Sequence, residues 1–203
     1  MITNKKPIEK VTWKPGTMLY PLPVVMVSCG QKEEDYNIIT VAWTGIVNSD
    51  PPMCYISIRK TRHSYNLIKE AWGFVINLTS KELVFATDWC GVKSGRDVNK
   101  FKEMKLTSMP AQNVNAPMIA ESPVNIECKV HSITELGSHC MFIADIVAVH
   151  GDAKYIDKET DAFNLAESEL ITYSHGRYYT VAKKLGKFGF SVEGTGKRKR
   201  KEK

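Results

Sequence analysis

Two short stretches hold the residues best suited to chemistry. The first is Arg59-Lys60-Thr61-Arg62-His63-Ser64, where cations and hydroxyls crowd the start of an expected helix. Free amides at a helix start, together with the helix dipole, attract an anion. Arg59 can add a charge-assisted, bidentate bond. An equal reading is that Thr61 or Ser64 caps the helix and the cations are solvated. The second stretch is Lys93-Ser94-Gly95-Arg96-Asp97-Val98-Asn99-Lys100-Phe101. Its Ser-Gly pair offers a hydroxyl, an accessible amide and a flexible backbone. The bland counterpart is a loop-to-helix junction with Asp97 as N-cap.

Other chemistries lack their signatures. The chain has no G-x-S-x-G, no P-loop, no H-E-x-x-H and no G-x-G-x-x-G after a strand. His63, His131, His139, His150 and His175 have no metal-ligand spacing, so no metal site is expected. Cys90 stands near Lys93 and Arg96 and reads either as an activated thiol or as a packed one. Five scattered cysteines without a C-x-x-C pair point to reduced thiols and a cytoplasmic protein.

Strands must position these residues. Val24–Ser28 is a continuous apolar run, expected as a buried strand. Residues 37–43 form an extended run, a polar loop follows, and Asp50-Pro51-Pro52 is a turn. Residues 53–58 then return as a strand rich in β-favouring types. A short helix follows Ser64 and is stopped by Gly73, and Phe74–Leu78 is another strand. Thr79-Ser80-Lys81-Glu82 reads as a capping box opening a helix to about Trp89. Asp97 opens a further short helix, and residues 105–118 read as irregular. The alternating run 124–131, the turn at 135–138 and the long strand 140–149 form a hairpin. A second hairpin turns at His175-Gly176-Arg177. Many strands with a few short helices and no regular β-α alternation predict a mainly β, barrel-like fold.

At 203 residues a single domain over residues 1–190 is expected. The net charge of +6 misleads, because six of the 28 Lys and Arg residues sit in the last seven positions. Without that tail the balance is 22 basic against 21 acidic. Residues 191–203 are therefore read as a solvated basic tail, and no nucleic-acid function is expected. No apolar run approaches the ~18–20 residues that span a bilayer, and the N-terminus has no signal-like apolar core.

In order and spacing, five features resemble the flavin reductase-like, FMN-binding split-barrel family, including the flavoredoxins. They are Tyr20–Val25, Asn37–Trp43, the run from Asp50-Pro51-Pro52 through Ile56–Arg59 to His63-Ser64, Ser94–Phe101, and Gly137–His139 ahead of Asp145–Val147. The likeness covers roughly residues 15–190. It implies a six-stranded Greek-key split barrel and a homodimer with one FMN per subunit near the interface. It also implies electron transfer from NADH, NADPH or a redox protein to an acceptor not named by the sequence. By the same resemblance, Asn37, Thr40, Val41, Ala42 and Trp43 would face the flavin ring. Ser57, Ile58, Arg59, His63 and Ser64 would hold ribityl and phosphate, and Ser94, Gly95 and Lys100 would close the site. His139 would guide the nicotinamide or protonate reduced flavin, or serve as a structural histidine. The alternatives are an NAD(P)H:flavin reductase releasing reduced flavin to a monooxygenase, and a non-enzymatic flavin- or haem-binding module.

Overall fold

The computed structural model describes residues 8–181 and 183–192. The expected basic tail lies outside the described residues from position 193 onward. In chain order the elements are β1 (Leu22–Pro23), β2 (Val25–Cys29), β3 (Asn37–Val41), β4 (Thr44–Ser49), β5 (Pro52–Ile58), α1 (His63–Ala71), β6 (Gly73–Leu78), α2 (Val84–Val92) and α3 (Lys100–Glu103). Next come β7 (Ser108–Pro110), β8 (Pro117–Ile119), β9 (Val124–Glu135), β10 (Cys140–Gly151), β11 (Ile171–Ser174) and β12 (Arg177–Thr180).

Seven strands make one antiparallel sheet in the order β3-β2-β6-β9-β10-β5-β4. Its two edges, β3 and β4, are consecutive in sequence, and the Ser57 amide donates to the Trp43 carbonyl at 2.8 Å where the chain turns between them. The sheet thus curls into a split barrel. The seven-stranded sheet agrees roughly with the six-stranded split barrel that the family likeness implied; β4 was read from sequence as a polar loop. Five of its six residues are not buried, so it carries no alternation signal and is held by backbone pairing to β5.

The barrel interior packs Val25, Val27, Ile39, Val41, Ile56, Phe74 and Phe142. The opposite face of the same strands offers Met26 and Ile38 to α2 and α3, through Leu83, Ala86, Cys90 and Phe101. Side chains alternate along a strand, so burial on both faces makes β2 a continuous apolar run.

Several local expectations change. Thr79 does not cap a helix: it is buried and its hydroxyl donates to Val24 O at 2.6 Å. A 3-10 turn at Lys81–Leu83 leads instead into α2, which continues through Cys90 and Gly91 to Val92. Asn99, not Asp97, caps α3, accepting from the Lys102 amide at 3.0 Å. Helix α1 is closed by Trp72 in the left-handed region (φ 53°), and Gly73 already belongs to β6. The stretch 105–118 contains β7, and β7 pairs with β8. The second hairpin turns on His175 and Gly176, both at positive φ, so Arg177 already lies in β12.

One buried carboxylate pins a loop to the barrel. Glu127 on β9 has no exposed surface and accepts from the amides of Gln112 (2.8 Å) and Asn113 (2.6 Å) and from His150 Nε2 (2.6 Å). Burial pushes its pKa up, but these donors outweigh burial and leave it below the usual 4.5. A depressed folded pKa stabilises the fold fully above the unfolded value, and this is lost as pH falls through the folded one. Glu127→Gln is therefore expected to lower stability by about 1–3 kcal/mol near neutral pH. In urea titrations the gap to wild type should shrink on acidification below about pH 4; a gap that widens there would contradict the assignment.

Candidate functional site

The corner of the barrel where β3 turns into β4 faces the end of β5, the start of α1, the end of α2 and the loop 93–99. Two adjoining hollows open there, sharing Ile39, Arg59, Arg62 and Gly91. The larger, about 610 Å³, is lined by Thr40, Val41, Ala42, Trp43, Ser57, Ile58, Arg59 and His139. The smaller, about 270 Å³, is lined by Asn37, Arg59, His63, Ser64, Ser94, Gly95 and Lys100. Every residue the family likeness assigned to the site thus lines one or the other.

The smaller hollow is electrostatically one-sided. Arg59, Arg62, Lys93, Arg96, Lys100 and His63 line it, and no Asp or Glu does. Lys100 is only 3% exposed, and its ammonium donates to Ile38 O and Cys90 O, both at 2.7 Å. Burial pulls its pKa down, and Arg62 adds to the fall. A buried cation without a carboxylate beside it is costly unless an anion approaches.

Asn37 is held by a hydrogen bond between its Nδ2 and Ser64 Oγ at 2.8 Å, while its buried Oδ1 has no partner among the described residues. Gly95 lies directly against it: a Cβ there would stand 2.0 Å from that oxygen. The neighbouring loops are tied by Arg96 Nη1, which donates to Thr61 O at 3.3 Å. Neither Thr61 nor Ser64 caps α1, whose N-cap residue Arg62 makes no side-chain capping bond. The start of α1 therefore keeps donors for a ligand.

Burial lowers the His63 pKa, helped by Arg96 and Lys100, and burial lowers that of His139, helped by Arg59 and Arg62. His139 Nδ1 lies 2.8 Å from Ser138 Oγ. Burial pushes the Cys90 thiol up to about 11, so the activated-thiol reading gives way to the packed one. Thr40 is committed as well, its hydroxyl donating to Thr87 O.

Some lining residues escaped the sequence. Tyr173 and Tyr178 reach the larger hollow from the β11–β12 hairpin, and Tyr178 donates to Asp88 Oδ1 at 3.0 Å. The hairpin was legible, its distant contact was not. Gly91 lets α2 approach β3, since a Cβ would meet Thr40 Cβ at 3.2 Å. Arg62, Lys93 and Arg96 lay inside the two stretches first singled out, and only the shared hollow reveals them as lining.

Residues 17–182 match the profile of the flavin reductase like domain. The chain belongs to the flavin reductase-like family. A solved relative is the flavoredoxin of Desulfovibrio vulgaris (Miyazaki F), 29% identical, with a TM-score of 0.84 over 91% of this chain and all of that one. The flavoredoxin from Methanosarcina acetivorans shares the fold at 24% identity and a TM-score of 0.82, over 92% of this chain and 98% of the other. An uncharacterized protein of Pyrococcus abyssi is 32% identical over 131 residues, 64% of this chain and 74% of that one. Membership ties this flavin reductase-like chain to flavin-based redox chemistry. Its residues fit such a group. An acid-free cationic hollow suits a phosphate, and a contiguous one walled by Ile39, Val41 and Trp43 suits a planar ring. The orphaned Asn37 oxygen is an acceptor awaiting a donor. No helix among the described residues is long and apolar enough to cross a membrane.

Proposed function

We propose that the protein is an FMN-dependent oxidoreductase of flavoredoxin type, working in the cytoplasm. It takes electrons from NADH, NADPH or a redox protein and passes them to an acceptor. The observation that carries this reading is the junction of an acid-free cationic hollow with an apolar-walled one. Bound FMN would supply the redox chemistry.

The chain's own residues bind and orient. Arg59, His63 and Ser64 at the start of α1 hold the phosphate, and Ser57 the ribityl chain. Asn37, which lines the smaller hollow beside Ser64, meets the ribityl and phosphate end, while the backbone from Thr40 to Trp43 meets the polar edge of the ring, with Val41 and Ile58 on its apolar side. Ser94 and Gly95 close the site. Lys100 acts from beneath: its ammonium stays on two carbonyls and contributes charge rather than a reaching hand. His139, its pKa lowered by burial beside Arg59 and Arg62, orients the donor's nicotinamide or holds a proton.

The second copy of a homodimer would cover the apolar groove of about 650 Å³ lined by Met18, Leu19, Leu22, Tyr55, Leu136 and Met141, which also reaches Trp43 and Ser57 of the larger hollow. Leu19 is 85% exposed in the single chain. Light scattering after size exclusion measures this directly, and a monomer at working concentration would refute it.

Colour decides the main reading. Purified protein should be yellow, or become so with FMN, and should release the flavin on heating. Under anaerobic conditions a nicotinamide nucleotide, reduced ferredoxin or dithionite should bleach it. A colourless protein that takes up no FMN overturns the reading. The phosphate assignment has a sharper check. Arg59→Ala should weaken FMN by about 1.5–3 kcal/mol, roughly 10- to 150-fold, and riboflavin far less. Equal losses would place the phosphate elsewhere.

A further inference from the structure

The smaller hollow carries more positive charge than one phosphate monoester requires. Arg59, Arg62, Lys93 and Arg96 are exposed on its lip, and Lys100 is buried at its floor. None of the five makes an ion pair within 4 Å among the described residues. A phosphate monoester brings a charge of about −1.5 to −2 at neutral pH. If Arg59 and the start of α1 hold the FMN phosphate, with Lys100 beneath it, then Arg62, Lys93 and Arg96 are left unmatched.

These three are not scattered. Arg62 lines both hollows, so it stands between the ring-sized space and the cationic one. Lys93 caps the end of α2, with its side chain committed to no bond among the described residues. Arg96 commits one nitrogen to Thr61 O and keeps its other donors. A guanidinium fork and an ammonium on one lip form a typical anion cradle. The aromatic side chains of Trp43, Tyr173 and Tyr178 line the larger hollow and offer faces for a second planar ring.

We propose that Lys93 and Arg96 form a second anion-binding subsite that takes the 2′-phosphate of the donor, so that the electron donor is NADPH rather than NADH. This rests on the FMN reading. The nicotinamide would lie in the larger hollow, the pyrophosphate would pass Arg62, and the extra phosphate would end on the outer lip. Nothing is transferred at this subsite; it acts by affinity alone.

The test uses FMN-loaded full-length protein and the part of the donor that carries the difference. Calorimetric titration with adenosine 2′,5′-bisphosphate is expected to give binding at least about tenfold tighter than with adenosine 5′-monophosphate. Raising the salt should narrow that gap. Lys93→Ala, a change at a side chain with no structural bond, should remove most of the preference, and Lys93→Glu all of it. FMN affinity is titrated separately by fluorescence, because Lys93 also lines the hollow assigned to the FMN phosphate, and both variants are compared at FMN concentrations that keep them loaded. In anaerobic stopped-flow experiments NADPH should half-saturate flavin bleaching at about a tenth of the NADH concentration, and Lys93→Glu should bring the two together. Equal binding of the two adenosine nucleotides by the FMN-loaded protein, or a preference for NADH, overturns the proposal. Failure of the wild-type protein to take up FMN would appear in the fluorescence titration alone and would overturn the parent reading instead.

Discussion

Gly95→Ala is expected to weaken FMN binding at least about 100-fold while leaving the protein folded. The argument is one of space. A Cβ at position 95 would sit 2.0 Å from Asn37 Oδ1 and 2.6 Å from its Cγ, well inside contact distance. The glycine is not in the left-handed region, so backbone strain plays no part. Asn37 cannot yield cheaply: it is 3% exposed, and its amide is tied to Ser64 Oγ. Either the 93–99 loop lifts off, taking Ser94 and Arg96 with it, or Asn37 swings and breaks its bond to Ser64. Both outcomes spoil the smaller hollow, where displacements of about 1 Å cost orders of magnitude in a positioned site. The loop's outer residues are exposed, so its displacement costs the core little. Fluorescence quenching of FMN gives the affinity, and thermal melting of the apoprotein reports the fold. An alanine variant that binds FMN within threefold of wild type would sink the reading of Gly95 as the closing residue.

This prediction also shows what could be seen in the chain before its fold was known. The two stretches 59–64 and 93–101 announce themselves by residue type. So does the strand 37–41, where Asn37 and Thr40 stand beside Ile38, Ile39 and Val41. What joins them is invisible in sequence. Gly95 meets Asn37 across 58 positions, and Arg96 reaches Thr61 across 35. Tyr178 finds Asp88 across 90. Local pattern carries no record of contacts at that range; family likeness grouped Asn37 and Gly95 in one site, but the contacts of Arg96 with Thr61 and of Tyr178 with Asp88 appear only in the fold.

The misreadings are equally physical. Strand β4 has an exposed outer face and small residues, so periodicity had nothing to detect. Thr79-Ser80-Lys81-Glu82 has the letters of a capping box, but Thr79 is drawn inward by Val24 and the helix starts later. A hydroxyl in a short motif has several partners on offer, and tertiary packing decides among them. Lys100, grouped with the site by the family likeness, lines the smaller hollow, yet its ammonium faces two carbonyls, a commitment that only the packing of β3 against α2 and α3 reveals.

Asn77→Leu is expected to produce the opposite phenotype: a protein that binds flavin but unfolds early. Asn77 is wholly buried on β6 and joins four strands. Its Nδ2 donates to Met26 O and to Ser28 Oγ, both at 2.9 Å, on β2. Its Oδ1 accepts from the Ile119 amide on β8 at 2.9 Å and from Asn125 Nδ2 on β9 at 2.8 Å. The Ile119 amide can only donate, which fixes the orientation of the Asn77 side chain. Leucine has similar bulk but leaves that amide without its acceptor and takes the Asn77 donors from Met26 O and Ser28 Oγ. An orphaned buried group costs about 1–3 kcal/mol, so roughly 3–5 kcal/mol is expected in total. For a chain of this size that lowers Tm by about 10–15 °C. Asn125→Ala should cost less, because Asn77 Oδ1 keeps the Ile119 amide as its donor and the loss falls on Ile119 O. The two substitutions share partners, so their effects should fall short of additive in a double-mutant cycle. Urea titration of the apoproteins measures all three values, and a loss below about 1 kcal/mol for Asn77→Leu would show that the network is solvated rather than buried. Asn77 lines neither hollow, so its folded variant should keep its FMN affinity, whereas Gly95→Ala should keep its Tm. That crossed pair of results separates the groups that build the barrel from those that make it a flavin site.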